Sequence, residues 1–197
     1  MLTDTDALPA PEIIAAEIAD DLEAALEQFT KIAARLGQPA GVWDDLPMKR
    51  FGSLTLFLLL VVGGGLAIGF LTAPGDWYAD LAKPSFNPPN RLFGPVWTLL
   101  YVLIAVAGWR TFEHDRGGGP MKLWWAQLVL NFLWSPTFFA THLIGLALLV
   151  ILLLLAAILA FIIVSWRQDR VAAWLFAPYA AWAAFASALN DSIWLLN

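Results

Sequence analysis

The chain has 197 residues, 60% of them hydrophobic and only 14% charged, whereas soluble domains average about one-quarter charged residues. This composition excludes an ordinary soluble domain and predicts a membrane protein, and the absence of cysteine excludes disulfide scaffolds, thiolate metal sites and cysteine nucleophiles. The net charge of −5 is unevenly distributed. Residues 1–47 carry ten acidic and two basic side chains, whereas residues 48–197 carry six acidic and nine basic ones.

The first predicted element is a helix at Glu12–Leu36, which Gly37 and Pro39 would end. Its apolar residues recur at alternating spacings of four and three, as in a heptad seam: Ile18, Leu22, Ala25, Phe29, Ile32 and Leu36. So short a repeat fits both an amphipathic helix that packs on its own protein and a coiled coil. We therefore expect an acidic N-terminal extension, residues 1–47, with an amphipathic helix, followed by a membrane domain, residues 48–197.

Five hydrophobic spans follow, each near the roughly 20 residues that cross about 30 Å of hydrocarbon. They are placed at 51–72, 92–112, 121–141, 143–165 and 171–194. The predicted fold class is an all-α integral membrane protein, a bundle of five transmembrane helices with an amphipathic N-terminal extension helix. Glycines in the first span predict close packing against a neighbouring helix: Gly63, Gly64, Gly65 and Gly69.

The distribution of Lys and Arg predicts the orientation. Seven lie on one side of five crossings: Lys49, Arg50, Arg110, Arg116, Lys122, Arg167 and Arg170. Only Lys83 and Arg91 lie on the other side. Because positive charges remain in the cytoplasm, we expect a multi-pass protein, in a bacterial cell membrane, with a cytoplasmic N-terminus.

The centres of the spans contain no charged residue or histidine, which disfavours an ion-coupled transporter. His114 and His142 both fall at connections, which argues against a buried haem or metal site. No catalytic motif is present. We predict no metal site, no required cofactor and no nucleic-acid partner.

Neutral polar and aromatic residues share faces of three spans. On the third span these residues are Gln127, Asn131 and Trp134. The fifth span carries Tyr179, Trp182, Ala186, Leu189 and Asn190, and the second carries Trp97 and Tyr101. Because buried amides need partners in hydrocarbon, these faces should point into the bundle. Spacing alone leaves two interpretations open, which are interhelical hydrogen bonding and a ligand pocket.

The connection between the first two spans is rich in proline and aromatic residues, from Trp77 to Pro89. Prolines stiffen this connection, and its aromatic rings give it an apolar underside. It could fold back as a lid over the bundle, or serve as a rigid linker at the membrane interface.

Several separated motifs resemble those of one family. The first group is Trp77-Tyr78, Lys83-Pro84, Pro88-Pro89, Phe93-Gly94-Pro95-Val96-Trp97-Thr98 and Tyr101. The second is Gln127-Leu128, Leu130-Asn131, Trp134-Ser135-Pro136, Phe138-Phe139, Pro178-Tyr179, Trp182, Phe185-Ala186 and Leu189-Asn190. Together they resemble the TspO/MBR family of tryptophan-rich sensory proteins and translocator proteins, also called peripheral-type benzodiazepine receptors. The resemblance covers about residues 51–197 and indicates a bacterial-type member with an N-terminal extension.

The resemblance implies five helices around a cavity that the first connection closes, in a homodimer. It implies a receptor or translocator-like role in tetrapyrrole or stress regulation. The ligands would be porphyrins or haem-like tetrapyrroles, with sterols and isoquinoline or benzodiazepine-type drugs as further candidates. By position, the ligand-binding residues are Tyr78, Pro88, Phe93, Trp97, Asn131, Trp134, Leu153, Trp182, Ala186 and Leu189.

Two departures qualify these expectations. The end of the fifth span lacks the tyrosine and basic residue of the animal cholesterol-recognition pattern, and Leu146 stands where some members have tryptophan. Two alternative functions are a light-dependent porphyrin-degrading enzyme, with Trp97 and Trp182 as redox-active indoles, and a ligand-responsive scaffold that uses the N-terminal helix.

Overall fold

The computed structural model describes residues 47–197 together with Glu23, Ala24, Glu27, Gln28 and Lys31. The chain divides into two units, Met1–Lys49 and Arg50–Asn197. In the first unit Glu23, Ala24, Glu27, Gln28 and Lys31 are helical and exposed, and Lys31 forms a 2.7 Å ion pair with Glu27. The predicted heptad seam from Ile18 to Leu36 lies outside the described residues, and the predicted boundary between 47 and 48 stays a prediction.

All regular structure within residues 47–197 is helical. The α-helices are α1 (Pro47–Leu58), α2 (Gly64–Leu71), α3 (Asp76–Asp80), α4 (Phe93–His114), α5 (Gly119–Ser135), α6 (Ile144–Ser165) and α7 (Arg170–Leu196). A π-helical turn at Leu59–Gly63 joins α1 to α2, and another at Pro136–Ala140 extends α5. A 3-10 turn at Asn90–Leu92 precedes α4.

Four of these helices are long and apolar enough to cross a membrane: Gly52–Leu71, Asn90–His114, Ile144–Ser165 and Arg170–Leu196. The helical membrane protein predicted from the sequence is thereby confirmed, with each of these four spans close to its predicted position. The predicted span 121–141 is not among the four; in this region α5 has 17 residues and is extended by a π-turn. The count of five crossings stays a prediction.

Large apolar side chains cover the outer surface of the helices. Phe70 is 86% exposed and Ile163 is 71% exposed, and most leucines of α6 are exposed as well. Water-soluble proteins rarely expose continuous apolar surface of this kind. Hydrocarbon is therefore the surrounding solvent of these helices.

The interior of the bundle is built on aromatic packing. Trp124 of α5 is fully buried against α4, where its indole N–H donates to the carbonyl of Ile104 at 3.0 Å. Gly108 makes this contact possible, because a methyl group at that position would overlap the indole. Between α6 and α7, the rings of Phe161 and Phe176 lie 4.1 Å apart. These contacts fix the helices whose other ends form the site.

Candidate functional site

A cavity of about 410 Å³ lies between α2, α4, α5 and the first connection (residues 72–92). Five of the predicted ligand-binding residues line it: Tyr78, Phe93, Trp97, Asn131 and Trp134. Helix α2 forms an additional wall of glycine and aliphatic residues, which the sequence analysis did not assign to the site. The glycine run of the first span was the available signal, because a wall without side chains leaves space beside it.

Two smaller cavities, of about 40 and 10 Å³, lie on the α7 side of the bundle. Trp182 and Ala186 line both of them, and Leu189 lines the larger. The three predicted residues of α7 therefore face inward, but they do not line the 410 Å³ cavity. The predicted single pocket is thus divided into one large cavity and two small ones.

Trp97 and Trp134 border all three cavities and form the wall between them. The ring of Trp97 lies 5.2 Å from that of Tyr101, and the ring of Trp134 stacks on Phe138 at 5.5 Å. Both indoles are half-buried, and their faces contribute flat apolar surface to the cavities. This arrangement suits a planar aromatic guest, because aromatic rings pack favourably face to face with an offset or edge to face.

Asn131, a residue of the cavity wall, carries a buried polar atom without a hydrogen-bond partner among the described residues. Its Nδ2 donates a 2.7 Å hydrogen bond to the hydroxyl of Tyr179, while its Oδ1 has no hydrogen-bond partner among the described residues. The residue is only 4% exposed. A buried acceptor without a partner costs free energy, which a ligand N–H or O–H group would recover.

Asn190, in contrast, is fully used by the protein. Its Oδ1 accepts from the indole Nε1 of Trp134 at 3.1 Å, and its Nδ2 donates to the carbonyl of Ile144 at 3.1 Å. It therefore links α5, α6 and α7 and sets the position of the Trp134 ring. Asn190 thus serves as an interhelical link, whereas Asn131 links α5 to α7 and also lines the 410 Å³ cavity. Ligand binding at this face stays a prediction. Gln127 is fully buried, has no hydrogen-bond partner among the described residues and lines none of these three cavities.

The first connection covers one end of the 410 Å³ cavity through Tyr78 of α3. This side chain is 7% exposed and borders both larger cavities. Burial raises the pKa of its phenol above the ordinary value, so the hydroxyl stays protonated at neutral pH. Lys83 places its ammonium group 4.6 Å from the centre of the Tyr78 ring. An aromatic ring and its cation thus form the cover of the cavity.

Two contacts hold the first connection on the bundle. Trp77 stacks on the imidazole of His142, with ring centres 4.0 Å apart. Asn197 accepts from the backbone N–H of Ala82 and donates to its carbonyl, both at 3.0 Å. The connection is therefore attached both to the turn between α5 and α6 and to the end of α7.

Two predicted ligand-binding residues line none of the three cavities. Leu153 is 50% exposed on the outer face of α6 and lines none of the three cavities, so its placement in the cavity wall was wrong. Its neighbours Ile151 and Leu154 are the buried residues, and they border the 10 Å³ cavity. Pro88 lies half-buried in the first connection and also lines none of the three.

The chain matches the TspO/MBR family over residues 56–195. Protein CrtK of Rhodobacter capsulatus is 36% identical over 151 residues, which are 74% of this chain and 94% of the relative. The tryptophan-rich protein TspO of Archaeoglobus fulgidus is 40% identical over 148 residues, or 73% and 96% of the two chains. The human translocator protein is 36% identical over 126 residues, or 61% and 75%. With its apolar helices and its tryptophan-lined cavities, the chain therefore belongs to the TspO/MBR family.

Proposed function

We propose that this chain is a membrane receptor or translocator-like protein that binds porphyrins and related flat hydrophobic ligands in the 410 Å³ cavity. The observation that carries the proposal is the combination of the Trp97 and Trp134 indoles with the unpartnered Oδ1 of Asn131 in one wall. The volume falls within the roughly 300–1,000 Å³ that is typical of small-molecule sites. Relatives named tryptophan-rich sensory protein and translocator protein support a role in sensing or moving such a ligand.

The chemistry of the wall explains why a tetrapyrrole would fit. Its flat π-system packs against the indole faces, and each desolvated aromatic contact contributes about 0.5–1.5 kcal/mol beyond area burial. A pyrrole N–H or a substituent with a donor would satisfy the Oδ1 of Asn131. Sterols and isoquinoline or benzodiazepine-type drugs share the apolar surface and are secondary ligand candidates.

Quenching of intrinsic tryptophan fluorescence by protoporphyrin IX tests this proposal. The double variant Trp97→Phe, Trp134→Phe should bind about tenfold more weakly, because two indole contacts are reduced to smaller rings. Trp174→Phe is the matched control, since that indole is 63% exposed on the outer surface. Equal affinities of the wild type, the double variant and the control would contradict the proposed site.

The enzymatic alternative, light-dependent porphyrin breakdown, rests on Trp97 and Trp182. These two indoles border the same two small cavities, whereas only Trp97 reaches the 410 Å³ cavity. A guest in the large cavity would therefore contact one of the two proposed redox-active residues, which favours binding over degradation. Illumination of the complex should return porphyrin with an unchanged absorption spectrum, and progressive bleaching that Trp97→Phe abolishes would instead support the enzyme.

We also propose a homodimer in a bacterial cell membrane, with the N-terminus in the cytoplasm. The outer face of α5 is apolar, and Trp125, Val129 and Leu133 are 44%, 56% and 49% exposed. A second copy or lipid would cover this face. Val129→Trp should shift the oligomeric state in detergent towards the monomer if this face is the dimer contact.

A further inference from the structure

Helix α2 packs closely against α4 near its own start and has open space beside it further along. The contact is Gly65, where a methyl group would overlap the ring of Tyr101. One turn further along α2, a methyl group at Gly69 would meet nothing within 4 Å, and the same is true of Gly94 near the start of α4. The two helices therefore diverge from Gly65 and Tyr101 towards the first connection.

Instead of following α4, helix α2 leans on α5. A methyl group at Gly64 would lie 2.9 Å from the Phe132 ring of the extended α5 helix, so the two elements are in close contact. At the end of α2, the hydroxyl of Thr72 lies 2.6 Å from that of Ser135 in a hydrogen bond. These contacts close the seam between α2 and α5, and they leave the seam between α2 and α4 open.

The open seam leads into the 410 Å³ cavity and has an apolar rim. Leu66 and Phe70 line the cavity and are also 55% and 86% exposed on the outside. On the α4 side, the hydroxyl of Thr98 donates to the carbonyl of Gly94 at 2.9 Å, so it presents no unsatisfied donor. Because Leu71, the last residue of α2, lies six positions after Gly65, the seam extends about 9 Å along the helix axis from the end nearest the first connection.

We propose that this seam is a lateral portal, through which the cavity takes its guest directly from the hydrocarbon of the bilayer. The inference rests on the proposed function, since the guest is the flat hydrophobic ligand. A molecule of this class concentrates in the membrane, and passage between apolar rims requires no polar group of the protein to lose a hydrogen bond. The first connection, held at Trp77 and Ala82, serves as a fixed cover and not as the entrance.

The test uses the absence of native cysteine. Ser135→Cys exchanges one oxygen for sulfur and places one thiol on the α5 wall of the cavity, beside the hydroxyl of Thr72. The protein is reconstituted in liposomes. The rate at which N-(1-pyrenyl)maleimide, dissolved in the bilayer, labels the thiol is compared with the rate for a sulfonated maleimide that stays in water. Gly69→Trp and, separately, Gly94→Leu narrow the seam at positions with open space. Gly63→Trp is the control, since Gly63 is equally unobstructed but does not line the cavity.

We expect Gly69→Trp and Gly94→Leu, the two plugged variants, each to slow labelling from the bilayer by about tenfold, which is a barrier change of about 1.4 kcal/mol. The control Gly63→Trp should leave the labelling rate unchanged. Faster labelling from water than from the bilayer, unchanged rates in both plugged variants, or no labelling of the unplugged protein would each overturn the portal. Protoporphyrin IX quenching on the same samples tests the ligand separately. Loss of quenching with plug-sensitive labelling would contradict the porphyrin and leave the portal supported.

Discussion

The side-chain amide of Asn131 donates a 2.7 Å hydrogen bond to the hydroxyl of Tyr179 and thereby joins α5 to α7 beside the cavity wall. Tyr179 is fully buried, and Asn131 nearly so. The bond fixes which amide atom turns away from Tyr179, and that atom is the unpartnered Oδ1. A contact that stabilises the bundle thus also sets the polarity of the candidate site.

Removing this hydroxyl with Tyr179→Phe should lower the free energy of unfolding by about 0.6–1.7 kcal/mol, which runs from the average to the largest value found for hydrogen bonds between membrane helices in double-mutant cycles. Denaturation in mixed micelles measures the change. Tyr101→Phe is the matched control, because it deletes a cavity-lining hydroxyl that has no hydrogen bond to the described residues. Equal losses in the two variants would show that the bond contributes nothing specific.

The glycines of α2 predict opposite responses to the same substitution. Gly65→Ala should destabilise the protein by about 1–3 kcal/mol, because the added methyl group overlaps Tyr101 and the core is overpacked. Gly69→Ala should be neutral or stabilise the helix by up to about 1 kcal/mol, since its Cβ meets open space. Thermal unfolding of the two variants in one detergent distinguishes them. A loss of stability in Gly69→Ala as large as that in Gly65→Ala would contradict the open seam.

Asp169 predicts an acid-dependent contribution to stability. Its carboxylate accepts hydrogen bonds from Arg110 at 2.8 and 3.1 Å and from the backbone N–H groups of Val171 and Ala172, where it caps α7. Burial alone would raise its pKa, but the bonds and charge of Arg110 and the two amides lower it below the ordinary value. Because the folded pKa lies below the unfolded one, the contribution is complete above the unfolded pKa and is lost as the pH falls through the folded pKa.

The variant Asp169→Asn keeps a helix cap but removes the charge. Its melting temperature should lie below that of the wild type at neutral pH. The difference should begin to shrink as the pH falls below about 5 and should disappear once the pH is below the lowered folded pKa of Asp169. Asp191→Asn, an exposed carboxylate elsewhere on α7, is the control. A difference that stays constant with pH would mean that the charge of Asp169 does not stabilise the fold.

The hydrogen bonds of Asn197 are expected to limit the mobility of the first connection. Asn197→Ala removes both hydrogen bonds to Ala82, so amide hydrogen exchange should accelerate within the connection while the α6 amides keep their rates. Ser192→Ala is the control, because it removes a side-chain bond that stays within α7. Unchanged exchange in Asn197→Ala would show that the stack of Trp77 on His142 suffices to hold the connection.

The sequence predicts the spans well, because a run of apolar residues with polar ends determines both the existence and the approximate limits of a membrane helix. The faces of α5 and α7 were also predictable, since Asn131 and Asn190 must turn away from lipid. Residues Ile144–Val164 of α6 are apolar on every face, so nothing in that sequence distinguishes inside from outside. Leu153 was therefore placed on the wrong side.

The division of the cavity was beyond sequence reasoning for a different reason. A motif states that indoles such as Trp97 and Trp182 face inward, but it does not state whether empty space or another ring separates them. That depends on the packing of rings from different helices, such as Phe93 against Trp182 at 5.8 Å. The cavity wall formed by α2 was not predicted, because Gly65 and Gly69 have no side chain whose chemistry could indicate a binding site.

His142 supports the stack on Trp77 with a backbone φ of 59°, in the left-handed region that glycine adopts freely and histidine at a modest cost. A β-branched residue at this position would force the turn between α5 and α6 to another shape. The imidazole would then no longer stack on Trp77. A substitution in the turn between α5 and α6 would thereby loosen the first connection, which covers the 410 Å³ cavity. Tolerance at this position should thus follow backbone geometry more closely than polarity or size.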